Sequence, residues 1–415
     1  MLKRLHIKGF KSFKDIDVEL PRFAVLFGPN SSGKSNFLDA LQALSRAGTL
    51  RTLTDALAEP IRGHAIESFS FPPGGLQALL GEKSASFEIE AELSVRKESF
   101  RYRFKTEIEP DSGRLTITDE YLAQLGAQGE PKGKPSIECV DKDDGRSVHI
   151  RRKSKPAHPR QEEVGLNHTI LSDPRLGGVE YRAIERVREE LSGWRMYYLD
   201  PRVAMRKARP PSDVRDIGVL GDEIAPFLYR LRAENEKAFK SVSRTLKLII
   251  PSVEEMTVDL DKRRGTLDIT IRQDGIDYSS RVVSEGTLRV LALCSIAANP
   301  WGGSLLAFEE PENGVHPRRT ELIAKLLHSL ATEQERQVIV TTHSPLFCDA
   351  VLDLAGGQEG VVGLFNVQRL EQATSIKPFS APGRLFDRHA IERQLATGPE
   401  DGVFGRLMLR GILDE

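Results

Sequence analysis

Apolar and polar residues fall into three textures along this chain. Between residues 2 and 27, Leu5 and Ile7, then Ile16, Val18 and Leu20, alternate with polar neighbours, and Phe23-Ala24-Val25-Leu26-Phe27 is an unbroken apolar run. Alternation predicts half-buried strands, and the continuous run predicts a strand covered on both faces. Beyond Ser35, residues Phe37, Leu38, Leu41 and Leu44 recur at helical spacing. Residues 46–84 are rich in turn signals, and Phe71-Pro72-Pro73-Gly74-Gly75 marks a loop. Residues 85–95, 99–109 and 114–122 then alternate between turn signals, which predicts an antiparallel meander with one solvated face.

From 126 to 176 the chain is polar and reads as loop, with the short runs 136–140 and 147–151 able to extend the meander. Helical spacing returns at 179–191 and over 222–249, where Phe227, Leu228, Leu231, Phe239, Val242 and Leu246 share a face, Pro226 suits the first turn and Pro251 ends the helix. The last third alternates strands (267–271, 304–308, 338–342) with helices (286–298, 317–331). Strand–helix alternation at both ends of the chain implies one α/β domain interrupted by a long insertion. The expected division is a split head of residues 1–84 and 265–375, and an insertion of 85–264. The insertion divides into a meander over 85–150 and a polar loop with helices over 151–264; 376–415 is a tail.

Composition narrows the function classes. With 59 basic and 60 acidic residues among 415, the formal charge is −1, so any surface for a polyanion must be a local patch. RSVHIRRKSKPAHPR (146–160), MRKAR (205–209) and DKRRG (261–265) are such patches, but no aromatic residues interleave them, and a solvated loop is the preferred reading. Cys139, Cys294 and Cys348 lie far apart without zinc-ligand spacing and read as reduced, buried thiols. The charged, alternating start MLKRLHIKGF is no signal peptide, and no stretch reaches the roughly 20 apolar residues of a membrane span. A soluble cytoplasmic protein is expected.

Four segments carry candidate chemistry. GPNSSGKS (28–35) fits the phosphate-binding loop G-x-x-x-x-G-K-S, and it sits between a strand and a helix start, as that motif requires. Gly28, Pro29, Asn30, Ser31, Ser32, Gly33, Lys34, Ser35 and Asn36 are the nucleotide-binding candidates. Backbone N–H groups of the loop would ring the phosphates, Lys34 would reach the β- and γ-phosphates, and the Ser35 hydroxyl would hold Mg²⁺. LLAFEEPENGVHP (305–317) runs an apolar strand into Glu309 and Glu310, which places both at the strand's carboxyl edge, where open α/β sheets bind ligands. Glu309 is the Mg²⁺ candidate; Glu310 is the catalytic candidate that orients and deprotonates water. VIVTTHSP (338–345) puts His343 at the end of another apolar strand, placed to contact the γ-phosphate or the water. In VVSEGTLRVLAL (282–293), Ser284, Glu285 and Gly286 precede a helix and form a second anion cradle, which suggests a γ-phosphate arriving from another subunit.

The order of phosphate loop, SEGTLR, EEPENGVHP and TTHSP, together with the opening LKRLHIKGFKSFKDIDVEL, resembles the ABC-type ATPase heads of the RecF, SMC and OLD-like group. The resemblance covers roughly residues 1–80 and 265–350 and extends to compact prokaryotic AAA family ATPases. It implies an α/β P-loop NTPase of ABC type with an antiparallel meander and an inserted helical/β lobe. It further implies two heads that sandwich ATP between the loop of one and Ser284 and Gly286 of the other. On that pattern Glu309 takes the Walker B acid position, Glu310 the catalytic glutamate and His343 the switch histidine; Gln77 is the one candidate for the glutamine loop. SEGTLR departs from the transporter signature LSGGQ, and no long heptads support an SMC arm. No apolar strand ending in a D-x-D pair follows residue 350, so a TOPRIM nuclease is not expected in this chain.

The leading expectation is therefore an ATP- and Mg-dependent ATPase that forms a homodimer, or a higher even-numbered oligomer, around ATP. It would drive or gate a separate nuclease or effector in DNA repair or anti-phage defence. A RecF-like, ATP-dependent DNA-binding clamp and a nucleotide-sensing regulator with little turnover are the alternatives, and DNA is a candidate partner.

Overall fold

The computed structural model describes residues 1–142, 145–355, 360–371 and 373–379, so the expected tail from 380 onward lies outside the described residues. Its contacts form two compact units. The first holds Met1–Pro21, Asn30–Trp194 and Val367–Lys377; the second holds Arg22–Pro29 and Arg195–Asn366, and resumes at Pro378. These units divide the chain at other points than the head-and-insertion scheme does.

The strands are, in chain order, β1 (Leu2–Phe10), β2 (Phe13–Glu19), β3 (Phe23–Phe27), β4 (Ala85–Val95), β5 (Glu98–Glu109), β6 (Arg114–Leu125), β7 (Ile137–Lys142), β8 (Gly145–Ile150) and β9 (Arg160–Glu163). They continue with β10 (Trp194–Tyr197), β11 (Val253–Asp261), β12 (Thr266–Gln273), β13 (Ile276–Ser279), β14 (Leu305–Glu309), β15 (Gln337–Thr342), β16 (Val362–Leu370) and β17 (Ala373–Pro378). The helices are α1 (Lys34–Ala47), α2 (Leu53–Ala56), α3 (Gly75–Leu80), α4 (Arg182–Ser192), α5 (Ile224–Glu234), α6 (Glu236–Ile249), α7 (Glu285–Ala297), α8 (Thr320–Thr332) and α9 (Pro345–Ala355).

In the first unit the expected meander is present as β4, β5 and β6, and it belongs to an antiparallel sheet of order β2-β1-β4-β5-β6-β7-β8-β9. Strand β9 lies in the stretch read as loop, because Arg160–Glu163 offers no apolar alternation. Buried Phe10, Phe69, Phe87 and Phe104 form an aromatic chain, with Phe10 and Phe87 edge to face at 5.2 Å.

One acid is built into this unit's interior. Glu120 on β6 is fully buried and accepts from Ile170 N at 2.6 Å, Leu171 N at 2.9 Å and Tyr102 Oη at 3.1 Å. It fastens the short turn Ile170–Ser172, whose residues are buried, to the sheet.

The second unit contains four parallel strands in the order β14-β15-β3-β16, with β10 beside β14. Strands β11, β12 and β13 form a small antiparallel sheet. Val25, Leu306, Phe308 and Val340 from the parallel strands share one buried cluster with Leu291 of α7 and Leu327 of α8, and Phe308 stacks on Tyr197 at 5.3 Å. The single helix expected over 222–249 is in fact two. Asn235 breaks it at φ −145° and ψ 77°, and its side chain accepts from Ala238 N at 3.0 Å, which caps α6. A mid-pattern asparagine competes for backbone N–H groups and so ends one helix and starts the next.

Burial pushes the Glu120 carboxyl up to about 7, from an ordinary 4.5, against the three donors that pull it down. The folded state therefore holds the proton more tightly than the unfolded chain. The stabilisation is full below the ordinary carboxylate range and is lost as pH climbs through about 7. Urea denaturation between about pH 5 and about pH 8 will show wild-type stability falling relative to Glu120→Gln, which cannot titrate. Glu120→Ala, which orphans three buried donors, will cost roughly 2–5 kcal/mol.

Candidate functional site

Register in the parallel sheet sets the candidate site of the second unit. Glu309 pairs with Thr341, Thr342 with Phe27, and Phe27 with Asn366, so the carboxyl ends of β14, β15 and β3 share one edge beside the middle of β16. Three segments singled out in the sequence leave the sheet there: Gly28 follows Phe27, Glu310 follows Glu309, and His343 follows Thr342.

Glu310 turns sharply as it leaves. Its φ is 44°, and its N–H donates to Thr341 O at 2.9 Å. The left-handed conformation costs a side-chain-bearing residue on the order of 1–3 kcal/mol, and such strain collects at functional sites. The Glu310 carboxylate lies 2.9 Å from His343 Nδ1, and Arg289 Nη1 donates to the Glu310 carbonyl at 3.3 Å. Both side chains of the acid–histidine pair remain partly open to solvent.

Glu312, two residues further on, escaped the motif reading. It is only 7% exposed, one of its oxygens takes the Thr342 hydroxyl, and its Oε2 has no hydrogen-bond partner. Burial raises its pKa above the usual carboxylate range, opposed mainly by the Thr342 hydrogen bond. Thr342 Oγ1 also accepts from Ser344 N at 2.9 Å, so one hydroxyl joins the acid segment to the histidine segment. The only signal in the sequence was an acid in what read as exposed loop.

The SEGTLR segment joins the same cluster. Ser284 caps α7, accepting from Thr287 N at 3.1 Å, while Ser284 and Glu285 stay exposed. A Cβ added at Gly286 would come within 2.4 Å of the Gly314 carbonyl oxygen, so the start of α7 lies against the loop that follows Glu312. Burial lowers the pKa of Arg289, one turn into this helix, while Glu312 and Glu310 oppose that shift.

Gly28 and Pro29 belong to the second unit, and Asn30 to Asn36 to the first. Within the first unit the loop is braced from distant chain. Thr374 Oγ1 donates to Ser32 O at 2.8 Å and lies 2.8 Å from Ser12 Oγ, which accepts from Asn36 Nδ2 at 2.8 Å. Positive φ at Ser31 (66°) and Gly33 (108°) gives the backbone alternation of an anion nest. A Cβ at Gly33 would sit 2.4 Å from Thr374 Oγ1, so only glycine fits there. Lys34 opens α1 with 5% exposure, and the buried Ser32 hydroxyl has no protein partner. A nest, an orphaned hydroxyl and a buried lysine at a helix start suit a polyphosphate with its metal ion. Asp39, fully buried on α1, binds Lys11 Nζ at 2.6 Å and Arg62 Nη2 at 2.9 Å, tying the β1–β2 turn to that helix. A cavity lined by Lys11, Ser12, Asn36, Phe71, Gly75 and Arg369 opens beside it. Gln77 is exposed on α3, whose first residue is that Gly75.

Residues 23–349, from the first residue of β3 into α9, match the family AAA_21, described as "AAA domain, putative AbiEii toxin, Type IV TA system". The chain belongs to this family. An OLD nuclease of Thermus scotoductus is 22% identical over 357 residues, which cover 84% of this chain and 60% of that protein. The chromosome partition protein Smc of Methanocaldococcus jannaschii is 46% identical over 41 residues, 10% of this chain and 4% of that protein. The chain thus spans about 60% of the OLD nuclease and far less of Smc. The Smc head domain of Pyrococcus furiosus, solved with the C-terminal domain of ScpA, has a TM-score of 0.51 at 14% identity, over 95% of this chain and 99% of that one. The chain has an α/β P-loop fold similar to that of the Smc head domain, and its sequence is similar to part of the OLD nuclease. Among the described residues no helix is long and apolar enough to cross a membrane.

Two substitutions test the rim's construction. Thr342→Val removes the hydroxyl held by buried Glu312 at little change in volume, and will destabilise the protein by about 1–3 kcal/mol in urea. Gly286→Ala will displace the 312–316 loop, read as faster amide hydrogen exchange at Asn313, Gly314 and Val315 than in wild type.

Proposed function

We propose that this head binds ATP with Mg²⁺, hydrolyses it, and dimerises around it to drive or gate a partner effector in DNA repair or anti-phage defence. The observation that carries the reading is the shared sheet edge, where the phosphate loop begins one residue past Phe27 and the Glu310–His343 pair sits at 2.9 Å. Gly28, Pro29, Asn30, Ser31, Ser32, Gly33 and Asn36 would form the loop around the phosphates, with Lys34 neutralising their charge. Ser35 and Glu309 would hold Mg²⁺, which when bound supplies further charge neutralisation. Glu310 takes the proton of the attacking water, and His343, in contact with that carboxylate, orients it. Ser284, Glu285 and Gly286, exposed or half-exposed at the start of α7, face a triphosphate carried by a second copy, favoured by the positive end of that helix. The relationship to an OLD nuclease and the toxin–antitoxin wording of the family description support an effector setting.

Lys34→Ala will weaken ATP binding by at least about tenfold in equilibrium titration, since the buried ammonium is the loop's only charge. Glu310→Gln will keep ATP binding and lower kcat by roughly 10²-fold or more, the usual size of a lost general base. With ATP it will elute as a dimer in size exclusion. A Glu310→Gln variant that turns over ATP at the wild-type rate would remove Glu310 from catalysis.

A further inference from the structure

A separate feature of the first unit is a cleft of about 220 Å³ lined by six basic side chains, Lys134, Arg151, Arg152, Lys153, Arg182 and Arg186, against the two acids Glu98 and Glu180. These cations come from three stretches: the approach to β7, the segment after β8, and the start of α4. None of the three reads as a binding motif alone.

Two of the six are structural. Arg186 is paired with Glu98, and Arg151 with Glu138 and the Pro135 carbonyl. Arg151 is nonetheless nine-tenths buried at the cleft wall with its Nε lacking a hydrogen-bond partner. Glu180 is occupied by Ser154, whose Oγ donates to it at 2.5 Å. Lys134, Arg152, Lys153 and Arg182 are exposed, and none makes an ion pair within 4.0 Å among the described residues. Arg152 and Lys153 also act on the Glu180 carboxylate at longer range, but four cations outside any ion pair against that one acid leave the concavity net positive in a chain of net charge −1.

We infer that this cleft binds the phosphodiester backbone of a nucleic acid. Arg152 and Arg182 offer planar forks that match phosphate oxygens, and the lysines add point charges. The helix α4 starts at the cleft without a side-chain cap at Tyr181, so its first-turn N–H groups are open to the same anion. Tyr181 itself lines the cleft and gives a base a stacking face, the aromatic element that the basic segment 146–160 lacks in sequence. These contacts position a strand and do not read its bases.

The test is fluorescence anisotropy with labelled single-stranded and duplex DNA, without nucleotide, from about 50 to about 200 mM salt. Wild type will bind at least one form, with log K falling linearly in log salt. The variant K134A/R152A/K153A/R182A will bind at least tenfold more weakly, with a slope smaller by roughly 0.7–0.9 for each phosphate it no longer neutralises. The control K8A/K14A, with exposed lysines on other strands, will bind as wild type does. All four changed residues are exposed, and a thermal melt checks that the variant remains folded. The inference is overturned if wild type binds neither DNA at low salt, if the fourfold variant binds like wild type, or if polyglutamate competes as well as DNA. ATP hydrolysis, read separately, fails or survives independently, since no cleft residue belongs to the proposed ATPase machinery.

Discussion

Everything at the candidate catalytic rim depends on the parallel register of four buried strands. β14, β15 and β3 end almost level with one another beside Asn366 of β16, and the residue after each of those three ends inherits its place from that pairing. A slip of one residue would turn every side chain to the opposite face. Such a slip would take Val25, Leu306, Phe308 and Val340 out of the cluster they share and carry Glu309 off the rim, so the apolar interior holds the polar rim in place. The candidate site is positioned by hydrophobic packing several residues away from it.

Fine positioning is left to a few buried polar contacts. The Thr342 hydroxyl sits between Glu312 and the Ser344 N–H, Arg289 holds the Glu310 carbonyl, and Gly286 lets α7 start against Gly314. A buried carboxyl with one unsatisfied oxygen is a poor contributor to stability. Its presence at Glu312, together with the left-handed backbone of Glu310, marks the rim as a place where geometry is kept at some cost in stability. The phosphate loop of the first unit follows the same pattern, with Ser32 orphaned and Gly33 excluded from carrying a side chain.

Charge is distributed by a different rule. Most arginines of the meander are matched across strands, as Arg103 and Arg146 are to Asp119, and Arg101 is to Glu92. Against that neutralised background the α4 cleft keeps four of its six cations outside any ion pair, so near-zero net charge and a positive site coexist in one chain.

The segments that build the candidate site were legible in the sequence because each depends on local order. An apolar run makes a buried strand, the residue after it lies at the sheet edge, and a glycine-rich octet before a helix makes a phosphate loop. The meander was legible for the same reason, through alternation, whereas the strands β9, β10, β11, β13, β16 and β17, the helices α2, α3 and α9, and the break at Asn235 were not read. What the tertiary structure alone decided are contacts between residues far apart in the chain. Thr374 reaches Ser32 across 342 residues, Thr342 buries Glu312 across 30, and three unremarkable basic stretches meet in one cleft. No local pattern encodes these, because burial and electrostatic field belong to positions in space, and the chain reaches those positions only after its strands have found their partners.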